Sequence, residues 1–191
     1  MKKIITVLVL ILIFSHGLYA DAAGDIMKAV YDNFGKISSI DSKYTIQTQQ
    51  FRNGTKEKEI TKEYNISHGV TLTAGAMVSV PYPDCLFNIE AYFKNYIITI
   101  KQKDERIKAG YEEVIAVPQG QTTQYPQVRL FIKGTKVKDI KFYNTLGKKY
   151  YTVKVKKYEK INGADFSTII VEKMISEKTT LENTISYSFP K

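Results

Sequence analysis

Between Gly24 and Ile37 the apolar residues recur three and four apart, with Ile26, Ala29, Val30, Phe34 and Ile37 on one side and Lys28, Asp32 and Lys36 on the other. That spacing predicts one amphipathic helix over 24–37. From Ser42 the period drops to two. Tyr44, Ile46 and Thr48 alternate with Thr45, Gln47 and Gln49, the Asn53-Gly54 pair signals a hairpin, and a second strand runs from about Lys58 to Ser67.

The stretch GVTLTAGAMVSVPYPDCLF is β-prone but interrupted by Gly75, Pro81 and Pro83, and strands are expected near Val70–Leu72 and Met77–Val80. Beyond it the pattern predicts strands over Tyr96–Lys101, Val114–Val117, Gln127–Lys133, Lys138–Asn144, Lys149–Tyr158 and Phe166–Met174. In the closing LENTISYSFP strand, Leu181, Ile185, Tyr187 and Phe189 share a face. Short Gly/Asn turns with no intervening helices argue for antiparallel neighbours, because parallel strands need long crossovers. The expected fold is α+β, mainly β: one strongly curved antiparallel sheet, or half-open barrel, with the N-terminal helix against its concave face.

Residues 1–20, MKKIITVLVLILIFSHGLYA, combine a basic start, an apolar run from Ile4 to Phe14 and a small residue at Ala20. They read as a cleavable secretory signal, since the apolar run falls short of the roughly 20 residues that span a bilayer. An uncleaved anchor is the alternative. The remaining 21–191 is long enough for one domain and no more, so a single exported, periplasmic domain is expected. Cleavage after Ala20 leaves Asp21 first, so no cysteine stands at the new N-terminus to be acylated.

Charge sharpens this picture. The chain carries a formal +9, yet between Lys133 and Lys160 ten lysines face only Asp139 and Glu159, so the net charge sits in one hairpin region. Lys148, Lys149, Lys154, Lys156 and Lys157 are the candidate partner or membrane surface, with Tyr150, Thr152 and Tyr158 sharing the face of Lys154 and Lys156. Either that face docks an anionic partner, such as phospholipid headgroups or an acidic envelope protein, or it is a solvated face that keeps strands from pairing further. Nucleic acid is a poor candidate for an exported chain with three arginines.

Catalytic chemistry is scarce. Beyond the signal the only histidine is His68 and the only cysteine is Cys85, with no nucleophile elbow, phosphate-cradling loop or metal-ligand spacing. Cys85 has no basic neighbour to activate it and reads as a buried thiol. Adjacent carboxylates at Asp104-Glu105 and Glu112-Glu113 read as loop charges. No enzyme activity, metal or cofactor is expected.

The early strand KYTIQTQQF and the later QVRLFIKGTKVKDIKFYNTLGKKYYTVKVKKYEKINGADF, following a signal and a helix, resemble the outer-membrane lipoprotein carrier (LolA-like) superfamily and its lipoprotein-sorting relatives. The matching pieces are Leu130 to Ile132, Tyr143 to Gly147 and Tyr158 to Gly163, within a resemblance that runs from Asp25 to Pro190. It implies a half-open barrel whose apolar cavity holds lipid or lipoprotein acyl chains in transit. A chain of about 15 methylenes left in water costs roughly 12 kcal/mol, which a carrier must offset with apolar surface. The Arg-Pro pair of the classical carrier has no counterpart, Arg52 being followed by Asn53, and the middle helices of its lid are not evident. Strand parity assigns Tyr44, Ile46, Ile98, Ile100, Val128, Leu130, Ile132, Ile140, Phe142, Val153 and Val155 to the ligand-facing side.

Overall fold

A computed structural model describes residues 22–33, 42–66, 84–87, 89–101, 110–120, 126–161 and 163–189. Residues 1–20, expected as a signal, the end of the first helix at Phe34 and Ile37, the strands expected near 70–72 and 77–80, His68, and the Asp104-Glu105 pair lie outside these residues.

Among the described residues nine strands form one sheet: β1 (Ser42–Arg52), β2 (Thr55–Ile66), β3 (Tyr96–Ile100), β4 (Glu112–Pro118), β5 (Gln127–Lys133), β6 (Lys136–Tyr143), β7 (Lys149–Ile161), β8 (Ala164–Ile175) and β9 (Thr179–Ser188). Their order is β2-β1-β9-β8-β7-β6-β5-β4-β3, with every neighbour antiparallel. The sheet is open and curved, and the fold is mainly β, as the alternation predicts. Tight turns make this possible. At the β1–β2 hairpin both Asn53 (φ 50°) and Gly54 (φ 82°) are left-handed, the geometry that matches strand twist and that Asn-Gly adopts at little cost.

The strand order demands one long connection. β2 lies at one edge and β3 at the other, so the chain must cross the whole sheet between Ile66 and Tyr96. Two short helices stand on that connection, α2 (Asp84–Phe87) and α3 (Ile89–Phe93), and they bury Cys85, Leu86, Ile89 and Phe93 in the same core as the sheet's inner residues. The sequence reading had no helix there. Each is barely a turn long, too short to show a 3.6-residue period.

The first helix, α1, covers residues 22–33. It too packs into this core, through buried Met27 and Val30 with half-buried Ile26 and Tyr31 against it; Ala23 and Asn33 are also buried, while Ala29 is exposed. Of the expected stripe Ile26 and Val30 face inward and Ala29 does not; Ala23, Met27 and Val30 keep i, i+4, i+7 spacing, and the i, i+4 pair Lys28–Asp32 (2.6 Å) marks the outer side. β2 begins at Thr55 rather than Lys58, and β7 runs on to Ile161.

Glu112 and Glu113 are strand residues of β4, not loop charges. Glu113 is buried on the sheet's outer side, 3.4 Å from both Lys101 and Arg129, which is how a carboxylate survives there.

Candidate functional site

Cross-strand register links the eleven candidate residues into one face. Tyr44 opposes Tyr187, Ile46 opposes Ile185, Ile185 opposes Ile170, and the chain of partners continues through Val155, Val153, Ile140, Leu130 and Val114 to Ile100. Phe142, Val128 and Ile98 lie in the parallel row, and Ile132 opposes Val137. Val128, Leu130, Ile132, Ile140, Phe142, Val153 and Val155 are fully buried and Tyr44 nearly so, whereas Ile46, Ile98 and Ile100 are half-buried. The centre of this concave face is thus covered, and its flanks are less so.

Aromatic rings cluster at two places on it. Phe166 meets Tyr187 and Phe189 edge-on at 5.5 and 5.4 Å, with Tyr44 5.9 Å from Tyr187. On the other side Tyr92 of α3 meets Phe142 edge-on at 6.2 Å and Phe142 lies 5.0 Å from Tyr151. T-shaped contacts of this kind add cohesion beyond the area they bury.

A polar row crosses this face. Thr48 donates to Asn183 Oδ1 (2.9 Å), Asn183 Nδ2 donates to Glu172 Oε2 (3.4 Å), and the Tyr151 hydroxyl donates to Glu172 Oε1 (2.6 Å). Burial, then the negative charge of Glu172, push the Tyr151 hydroxyl well above the ordinary phenol range, so it stays a donor. The sequence reading missed this row, although Glu172 has the parity of Phe166, Thr168 and Ile170 and so falls among the inward residues of β8.

The opposite, outer face carries the lysines. A groove of about 300 Å³ is lined by Asp139, Lys141, Lys149, Thr152, Lys154, Lys156, Val171, Lys173 and Glu182. Its acids are taken: Asp139 pairs with Lys141 at 3.5 Å and Glu182 with Lys173 at 3.4 Å. Lys149, Lys154 and Lys156 are exposed, and among the described residues none has a carboxylate within salt-bridge distance. Of the other two lysines singled out from sequence, Lys148 sits in the β6–β7 turn and Lys157 pairs with Glu159 at 2.5 Å.

Tyr158 is not part of this surface. Two register shifts between Val155 and Tyr158 alter the pairing, its ring packs against the core, and its hydroxyl donates to the Val137 carbonyl at 2.6 Å. Parity counted from Lys154 fails here because a bulge breaks the period of two.

Among the described residues there is no group of three or more His, Cys, Asp or Glu side chains placed to hold a metal, and no helix is long and apolar enough to cross a membrane.

This fold, an open, curved antiparallel sheet with helices on its concave side, is shared with solved structures of low sequence identity. A LolA superfamily protein of Nitrosomonas europaea superposes with a TM-score of 0.51 at 10% identity, covering 85% of this chain and 91% of its own. A Vibrio parahaemolyticus domain assigned to outer membrane lipoprotein sorting gives 0.52 at 11% identity, covering 88% and 94%. No family model and no curated protein matches the sequence.

Proposed function

We propose that the protein is a non-catalytic, periplasmic binder of lipid or of lipoprotein acyl chains, held along the concave face of the sheet. Residues 1–20 would direct its export. The observation that carries this reading is the combination of a LolA-like fold with a concave face that is apolar from strand to strand apart from the row Thr48, Asn183, Glu172 and Tyr151. Half-buried Ile46, Ile98 and Ile100 flank the covered centre, and these are the side chains an acyl chain would meet first. Each methylene moved from water onto such a surface is worth ~0.8 kcal/mol, so binding needs shelter and no reacting group.

The test is direct. The exported form is purified, extracted with organic solvent and examined by mass spectrometry, then titrated with a fluorescent fatty acid. Recovered lipid, or saturable uptake that Ile98→Asp and Ile100→Asp weaken, supports the reading. A protein that is lipid-free and takes up no probe sinks it.

A further inference from the structure

The β6–β7 hairpin holds a feature that acyl-chain binding does not use. At its tip Leu146 is 77% exposed, the most exposed large apolar side chain among the described residues. Its presentation is built. Asn144 Oδ1 accepts from the Leu146 N–H (3.0 Å) and the Lys148 N–H (2.9 Å), and the Asn144 N–H donates to the Lys148 carbonyl (2.9 Å). Gly147, at φ 70°, turns the chain back directly after Leu146, a conformation that costs other residues energy. The leucine therefore sits on a fixed loop rather than on a frayed one.

Directly behind it come Lys148 and Lys149, and then the groove in which Lys149, Lys154 and Lys156 have no carboxylate within salt-bridge distance among the described residues. We propose that this hairpin seats on an anionic phospholipid bilayer, with Leu146 entering among the acyl chains and the three lysines against headgroup phosphates. Charge decides the sign of the partner, since five lysines and two already paired acids line the groove. Chemistry favours phosphate over an acidic protein. No arginine lines the groove, so it lacks the flat forks that grip carboxylates in pairs, whereas ammonium groups serve phosphate as point charges. A basic patch beside an exposed apolar tip is also the combination that holds proteins at a lipid surface.

The location matters as well. Met174, 40% exposed, opposes Tyr151 near the same end of the sheet, so the tip stands close to where the concave face reaches solvent. The proposal does not rest on that face holding lipid, and its test is separate.

The exported form is sedimented with vesicles of phosphatidylcholine alone and with vesicles containing about a third phosphatidylglycerol at low salt. Binding is expected only to the second. The triple variant Lys149→Gln, Lys154→Gln, Lys156→Gln should lower the partition coefficient on the order of a hundredfold, and Leu146→Ser about tenfold. Only the first should flatten the salt dependence. These positions are exposed, and circular dichroism and melting curves establish that each variant is folded. Equal binding to both vesicles, indifference to the lysine substitutions, or capture of soluble polyglutamate in place of vesicles would each overturn the proposal, the last in favour of an acidic protein.

Discussion

The side chain of Asn33 clasps the main chain of Asp165 from both sides: its Nδ2 donates to the Asp165 carbonyl at 2.9 Å, and the Asp165 N–H donates to its Oδ1 at 3.0 Å. Both residues are buried. α1 is thereby tied to the first residues of β8, a strand in the interior of the sheet, across more than a hundred residues of sequence.

Removing the clasp leaves a buried N–H and a buried carbonyl unmet. Asn33→Ala should lower stability by about 2–4 kcal/mol, read as a shift of the urea midpoint with an unchanged slope.

Asp165 also titrates in a revealing way. Burial pushes its carboxyl up, but hydrogen bonds from Lys160, Lys136 and Thr135 together with the charge of Lys136 outweigh burial and hold it below the ordinary value. A depressed carboxylate adds stability that is complete above the unfolded value near 4 and drains away as pH falls through the folded one. Asp165→Asn should therefore be less stable than wild type at pH 7 and converge on it as pH falls below the folded carboxyl's lowered value. Melting curves taken across that window check the convergence.

Glu113 sits between Lys101 and Arg129, whose side chains are each about one-third exposed. Because both cations can turn to water when their partner is lost, Glu113→Ala should cost only about 1–2 kcal/mol. A loss above ~4 kcal/mol would show that the pair is shielded as a buried one is.

The Thr168 hydroxyl is buried and, among the described residues, meets no hydrogen-bond partner. Thr168→Val keeps the shape and deletes the unmet group, so it should stabilise the protein by about 1 kcal/mol.

Cys85, on α2, is buried among apolar neighbours. In the native protein a water-soluble thiol reagent should label it far more slowly than in denaturant, where labelling should reach one group per chain. Fast native labelling would mean that α2 lifts from the sheet.

Most strands were legible in the alternation of side chains, because a sheet with one covered face imposes that alternation directly: Gln127–Lys133 is a strand to the residue. What escaped was what the period of two cannot carry. The bulges near Tyr158 moved its ring off the lysine face, and α2 and α3 are single turns whose place is set by the crossing from edge to edge. Glu113 reads as a loop charge and Glu172 carries no signal of its own, and only their partners on distant strands reveal their roles. The lysine concentration was visible as composition, but the groove needed Lys141 of β6 and Lys173 of β8 brought beside β7.

The position of β9 between β1 and β8 has a consequence for how the molecule is made. The first hairpin finds its neighbour only in the last strand, so a chain emerging N-terminus first, from a ribosome or through a translocation pore, cannot complete its sheet until Thr179–Ser188 is out. Such late, long-range closure slows folding. With the export proposed above, that delay would keep the polypeptide threadable through a translocation pore until its last strand is across.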